Sequence, residues 1–251
     1  MNDLLATIRK TLFVPIHPAG YPFIIIGAIL TLVLGSIDES LGWVGLVLTL
    51  WVTYFFRNPQ RTVPLRRGLI IAPADGRVSM ITQVPLPPEL DDMKGSEQAP
   101  TGDALCDAPT VTRVSIFLNV FDVHVQRVPA FGDVRKVVYR PGKFFNASLD
   151  KASVDNERST VLMKLDGYNT SVAFVQIAGL VAKRIICKLT AGQHVEAGDQ
   201  YGLIRFGSRV DVYLPPNVHP QVIVGQRTVG GETVIADMDS VEGAREGVLR
   251  N

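Results

Sequence analysis

The chain has 251 residues, 47% of them hydrophobic, with 25 basic and 24 acidic side chains for a formal net charge of +1. That length allows one sizeable domain plus an appendage, and the balanced charge gives no global basis for binding nucleic acid. The two cysteines, Cys106 and Cys187, lack CxxC or metal spacing, which argues against a disulfide scaffold or a metal site and for reduced thiols in a cytoplasmic compartment.

Hydrophobic residues are concentrated early. The runs 22–37 and 41–56 are almost free of charge and are joined by Asp38-Glu39. Sixteen helical residues reach roughly 24 Å, slightly short of a bilayer core of about 30 Å, so each run is a marginal span, with a buried soluble hairpin as the alternative. Trp43, Trp51 and Tyr54 lie towards the run ends, as interfacial aromatics do. Arg9 and Lys10 precede the pair and Arg57, Arg61, Arg66 and Arg67 follow it. By the positive-inside rule both flanks stay in the cytoplasm. The expected organisation is a membrane-associated helical hairpin over 1–62 and a second domain over 63–251, on the cytoplasmic face of the cell (inner) membrane.

From Leu69 the pattern changes to short Val- and Ile-rich runs broken by Gly, Pro and Asp. Strands are expected at 69–71, 77–84, 111–120, 134–139, 160–165, 171–177, 182–189, 201–206, 210–214 and 233–236. The best short helix is 147–156. The fold class is therefore mainly β (α+β), an antiparallel domain with little helix. HVEAGDQYGLIRFGS and PADGRV resemble the hairpins of lipoyl and biotinyl carrier domains, without a carrier lysine motif. Residues 85–109 are rich in Pro, Gly and Asp and are expected to form a mobile surface loop.

Three positions carry candidate chemistry. Gly207-Ser208 separates two alternating apolar runs in QYGLIRFGSRVDVYLPP. The step reads as a tight corner, or as a self-cleavage site in which the serine attacks the unhindered glycine carbonyl beside it. His124 lies in an apolar run between Asp122 and Arg127 and reads as a packed core residue or a base. Asp75 lies in the turn sequence Pro-Ala-Asp-Gly, where bonding to the local backbone is its ordinary role. His17, His194 and His219 read as structural or surface residues.

RFGSRVDVYLP, together with YFFRNPQR (54–61), APADGRV (72–78), FLNVFDVHVQRVP (117–129), PGKFFNASLDKAS (141–153) and NER (156–158), resembles the phosphatidylserine decarboxylases, specifically the short bacterial form. The resemblance implies an Asp75–His124–Ser208 triad, with Asp75 orienting the imidazole and His124 taking the serine proton. It implies cleavage between Gly207 and Ser208, leaving fragments 1–207 and 208–251 associated, and a pyruvoyl group derived from Ser208 as cofactor. That ketone captures the substrate amine and withdraws electrons as carbon dioxide leaves, and His124 is the candidate proton donor. The implied partners are phosphatidylserine and the membrane surface, with homo-oligomerisation left open and nucleic acid not indicated. Lys143, Phe144 and Asn146 match the family's PGKF-x-NAS loop and are candidate substrate-binding residues. Some larger members of that family carry a second histidine where this chain has Arg127, so the resemblance leaves His124 to serve both steps.

Two other readings remain. A membrane-anchored serine hydrolase would use the same three residues, but Ser208 is followed by Arg209 and Val210 rather than completing a Gly-x-Ser-x-Gly elbow. A non-enzymatic tethered β domain would make Gly207-Ser208 a plain turn.

Overall fold

The computed structural model describes residues 14–93, 102–145, 147, 155–180, 184–205 and 207–248. The chain packs as two units, Met1–Gln60 with Phe121–Val125, and Arg61–Val120 with Gln126–Asn251.

In the first unit a 3-10 turn, Pro18–Gly20, leads into helix α1 (Tyr21–Ile37), followed by α2 (Glu39–Phe55). Asp38 ends one helix and starts the next. Its backbone is extended, and its carboxylate accepts from Ser40 N (2.8 Å) and Leu41 N (3.3 Å), satisfying amides that the first turn leaves unbonded. The helices meet along small residues. A Cβ on Gly42 would lie 2.8 Å from Gly35 Cα, and the Thr31 and Thr49 hydroxyls are 3.1 Å apart. Outward-facing Ile26, Leu32, Val47 and Leu50 are exposed. Pro18–Ile37 is long and apolar enough to cross a membrane, and almost none of it is buried. At the base, Phe55 and Phe56 are fully buried, and Phe56 stacks on Phe23 with centroids 5.4 Å apart.

The second unit holds thirteen strands, of which β4 begins one residue upstream of it: β1 (Leu69–Ile71), β2 (Gly76–Val84), β3 (Val111–Leu118), β4 (Val125–Arg127), β5 (Gly132–Arg140), β6 (Arg158–Leu165), β7 (Ser171–Ala178), β8 (Ile185–Cys187), β9 (His194–Val195), β10 (Gln200–Ile204), β11 (Ser208–Leu214), β12 (Arg227–Thr228) and β13 (Val234–Asp237). They form an eight-stranded sheet ordered β12-β2-β3-β11-β7-β6-β5-β9, a three-stranded sheet β4-β10-β8, and the pair β1-β13. Every recorded strand pair is antiparallel. The expected strands are present with shifted ends. β4, β9 and β12, only two or three residues long, are too short to show alternation.

β11 is central, paired along its length with β3 on one side and β7 on the other. Alternation puts Val210, Val212 and Leu214 on one face, in a core with Ile116, Phe174 and Tyr201. The opposite face is covered by the connection 85–109. Its described parts are not a mobile loop: a 3-10 turn (Pro88–Met93) and a short helix α3 (Ala104–Asp107) bury Leu90, Met93, Leu105 and Cys106 against Leu162, Val175, Ile177 and Tyr213. A few apolar anchors in a polar, proline-rich stretch are enough to fix it. Buried Asp103 ties the connection to β7, accepting from Ser171 N (3.0 Å) and Ser171 Oγ. The helix expected at 147–156 lies largely outside the described residues.

Candidate functional site

Gly207 is the corner at which the chain passes from β10, in the three-stranded sheet, to β11, in the centre of the large one. Its φ of +64° is in the left-handed region, costly for any residue with a side chain. A Cβ built on Gly179 would lie 2.1 Å from the Gly207 carbonyl oxygen, so only glycine at 179 allows that carbonyl its position. Ser208 opens β11 opposite Leu118 and Ala178. It is fully buried, and its Oγ has no hydrogen-bond partner among the described residues. A buried hydroxyl left unbonded costs on the order of 1–3 kcal/mol, so it marks either a defect or a reactive position.

The next residues face the other way. Arg209 and Asp211, both fully buried, form an ion pair: Arg209 Nη2 donates to Asp211 Oδ2 at 3.1 Å. Arg209 Nε is 2.8 Å from Asp211 Oδ1, but its N–H is not aimed at that oxygen, so this contact is ionic only. Arg209 Nη1 also donates to Ala147 O at 2.9 Å. The strand start is thus fastened on the face opposite Ser208.

His124 belongs to the first unit, where its ring lies 4.2 Å from that of Phe55. Nδ1 is 3.0 Å from Asp122 O. A carbonyl only accepts, so Nδ1 carries the proton and Nε2 presents its lone pair. Nε2 is buried and has no hydrogen-bond partner among the described residues. Burial, reinforced by the Arg57 charge and only partly offset by the Asp122 carbonyl, lowers the pKa from 6.5 to about 4. The imidazole is therefore neutral at pH 7.

A stability prediction follows. The unfolded chain takes up this proton near pH 6.5 and the folded one only near pH 4. Stability is retained above about pH 6.5 and lost as pH falls towards 4, by on the order of 3 kcal/mol from this group. Urea titrations of the uncut Ser208→Ala protein and of Ser208→Ala/His124→Gln at pH 7 and pH 4.5 should show the histidine-bearing protein losing ground to the double variant. An unchanged gap would show that the ring is not held neutral.

Asp75, in the second unit, accepts from Arg61 Nη2 at 2.7 and 2.9 Å and from Gly230 N at 2.8 Å. Its turn is held by Arg127 N to Pro73 O (2.8 Å) and Thr228 Oγ1 to Ala74 O (3.1 Å). Arg127 is itself buried, and its pKa is lowered by burial first and by the Arg61 charge second.

The PGKFF segment leaves Phe144 and Phe145 partly exposed, and Lys143 Nζ sits 5.6 Å from the Phe145 ring centroid. Asn146 lies outside the described residues. The NER sequence secures this segment. Asn156 Oδ1 accepts from Phe145 N (2.9 Å), while its Nδ2 donates to Phe145 O (2.8 Å) and to Ala178 O (2.7 Å). Ala178 is the cross-strand neighbour of Ser208, so Asn156 couples the segment to the strand beside the serine. Arg158 points to the other face and pairs with Glu89 there. Burial alone would raise the Glu89 pKa, but the hydrogen bond and charge of Arg158 outweigh it and hold the carboxyl below its usual range.

A sequence model of the phosphatidylserine decarboxylase family matches residues 48–236. Phosphatidylserine decarboxylase proenzyme of Paramagnetospirillum magneticum is 52% identical over 97% of this chain and 95% of its own length. The proenzyme of Cereibacter sphaeroides is 50% identical over 99% of both chains, and that of Rhodospirillum rubrum is 52% identical over 96% of this chain and 97% of its own. With a match of this extent over the site described above, the chain belongs to the phosphatidylserine decarboxylase family and is a decarboxylase.

Proposed function

We propose that this protein cleaves itself between Gly207 and Ser208, generates a pyruvoyl group from Ser208, and decarboxylates phosphatidylserine to phosphatidylethanolamine at the membrane surface. The observation that carries this reading is the buried, unpartnered Ser208 Oγ directly after a left-handed glycine. The relatives' designation as proenzymes supports it.

In the proposed maturation His124 Nε2 takes the proton from Ser208 Oγ, which bonds to the Gly207 carbonyl carbon. The C–N bond breaks and the Ser208 nitrogen keeps the returned proton, giving an ester. Loss of the Ser208 α-proton then breaks the Cβ–O bond, and Gly207 departs as a carboxylate. The dehydroalanine left at 208 tautomerises, and water replaces its nitrogen, releasing ammonia. The orphaned hydroxyl and the open backbone at Gly207 fit this conversion, and β3 and β7 would hold residue 208 afterwards, keeping 1–207 and 208–251 together.

The pyruvoyl group supplies a ketone that captures the substrate amine and takes up electrons as carbon dioxide departs. His124 then donates a proton from Nε2 to the substrate α-carbon. A base that holds its proton weakly is a strong donor once charged, which the burial of His124 favours. Asp75 is assigned as the acidic member of the set. Lys143, Phe144 and Asn146 are assigned to the lipid, with cation and aromatic groups suited to phosphate and acyl chain. The apolar hairpin and the basic run after it would hold the site on the cytoplasmic face of the inner membrane.

Intact mass of the purified protein tests the reading. Two pieces, 1–207 and 208–251, the second blocked at its terminus, are expected. A single chain with an unmodified serine in active enzyme would overturn it. Gly179→Ala should slow cleavage strongly, because the new methyl group would occupy the space of the Gly207 carbonyl oxygen. A time course of fragment appearance checks this, and wild-type rates would show that the carbonyl can move without consequence.

A further inference from the structure

Two buried glutamines lie on the core face of the larger unit, close to Ser208. Gln176 is opposite Val210 in the β7–β11 pairing, and Ser208 is opposite Ala178. Residues two apart share a face, so Gln176 and Ser208 are diagonal neighbours, about 7–8 Å apart at Cα. Gln176 Nε2 donates to Ile186 O at 3.2 Å and to Gln126 Oε1 at 3.1 Å. The backbone carbonyl can only accept, which fixes Gln176 with its nitrogen on that side. Gln126 must in turn offer its oxygen. Gly202 permits this approach, since a Cβ there would be 2.6 Å from Gln176 Nε2.

The consequence is a defined remainder. Gln176 Oε1 and Gln126 Nε2 have no hydrogen-bond partner among the described residues, and both side chains are fully buried. The pair therefore offers one acceptor and one donor within an apolar core. A phosphate would bring only acceptors to that acceptor oxygen, and an acyl chain would satisfy neither atom. An α-amino acid carries the matching set, a nitrogen that donates and a carboxylate that accepts.

We propose that Gln126 and Gln176 recognise the amino-acid end of the lipid head group, Gln126 Nε2 donating to its carboxylate and Gln176 Oε1 accepting from its nitrogen. This rests on the decarboxylase reading above. A neutral amide also suits a carboxylate that must leave. A guanidinium would stabilise the bound substrate strongly, and stabilisation present before the transition state adds nothing to the chemical step.

The test uses the mature full-length enzyme in detergent and equilibrium titration calorimetry. One probe is dihexanoyl phosphatidyl-3-hydroxypropionate, which keeps the carboxylate and has no amine to condense. The other is dihexanoyl phosphatidylpropanol, which lacks both groups. Gln126→Met and Gln126→Leu each remove both polar atoms of the amide at similar volume. Each should weaken the carboxylate probe by about 10-fold or more, as expected for a lost bond to a charged group, with the propanol probe changed by less than about 2-fold. Gln176→Met, which frees the amide of Gln126, should give the same selective loss. Equal loss on both probes, or none on the carboxylate probe, overturns the assignment. Failure of both Gln126 variants to be cleaved would place the amide in maturation and overturn it too. A wild-type protein found as one uncut chain would instead sink the proposed self-cleavage and pyruvoyl chemistry, so the two failures are distinguishable.

Discussion

His124→Ala and Ser208→Ala should each be recovered as one uncut polypeptide, whereas wild type yields two pieces. For Ser208→Ala the block is absolute, because no oxygen remains to attack the Gly207 carbonyl. For His124→Ala it is kinetic. General-base assistance is typically worth about 10²–10⁴ in rate, so slow cutting over long incubation is expected. Nδ1–H is already engaged by Asp122 O, and Nε2 is the ring atom with a lone pair to offer. Asp75→Asn should act differently. Arg61, bonded to both Asp75 oxygens, would lose its anionic partner, and the charge balance of that turn would change. Partial slowing is expected there. Cutting of His124→Ala at the wild-type rate, followed by mass spectrometry, would remove His124 from maturation.

The second large effect is expected from Phe55→Ala. This side chain is fully buried and its ring lies against that of His124. Removing it should cost about 3–5 kcal/mol through the cavity left behind. It should also admit water to the imidazole, letting its pKa rise from about 4 towards the ordinary 6.5. Wild-type maturation should be flat from pH 8 down to about pH 5, since the base is unprotonated throughout. In Phe55→Ala the rate should fall below about pH 6.5, and a variant lacking residues 1–56 should behave more severely still. The readout is the pH dependence of fragment appearance, which a loss of stability alone would not shift. A truncated protein that matures at the wild-type rate with a flat profile would show that the hairpin contributes nothing to His124.

The fold class was legible because ten strands carry period-2 alternation or unbroken apolar runs long enough to read. Gly207-Ser208 was legible as a corner because the alternation fails there and resumes beyond it. Other features were hidden for physical reasons. The packing of Phe121–Val125 with the N-terminal helices is a contact distant in sequence, and no local periodicity encodes it. The connection 85–109 looks like solvent-exposed chain by composition, yet Leu90 and Leu105 are wholly buried. Gly179 is a lone glycine after a strand, and its need for close approach emerges only when the Gly207 carbonyl is set beside it. Gln126 and Gln176 lie in β4 and β7 with no motif or spacing that marks them. Their pairing depends on a strand order, β4-β10-β8 beside β7, that the sequence does not specify.

The central place of β11 has a consequence for the life of the molecule. While the chain is continuous, bringing that strand between β3 and β7 is an internal event, with an effective local concentration of about millimolar order for short flexible links. If the bond before Ser208 is cut, as proposed, the same insertion becomes an encounter between two separate molecules. An enzyme unfolded after the cut therefore faces a search that it never faced when newly made, with the middle of a sheet missing and both flanking edges open to strangers. Its durability would then be governed by how rarely it opens, a rate rather than an equilibrium. On that reading each molecule of this protein is assembled once and does not get a second folding.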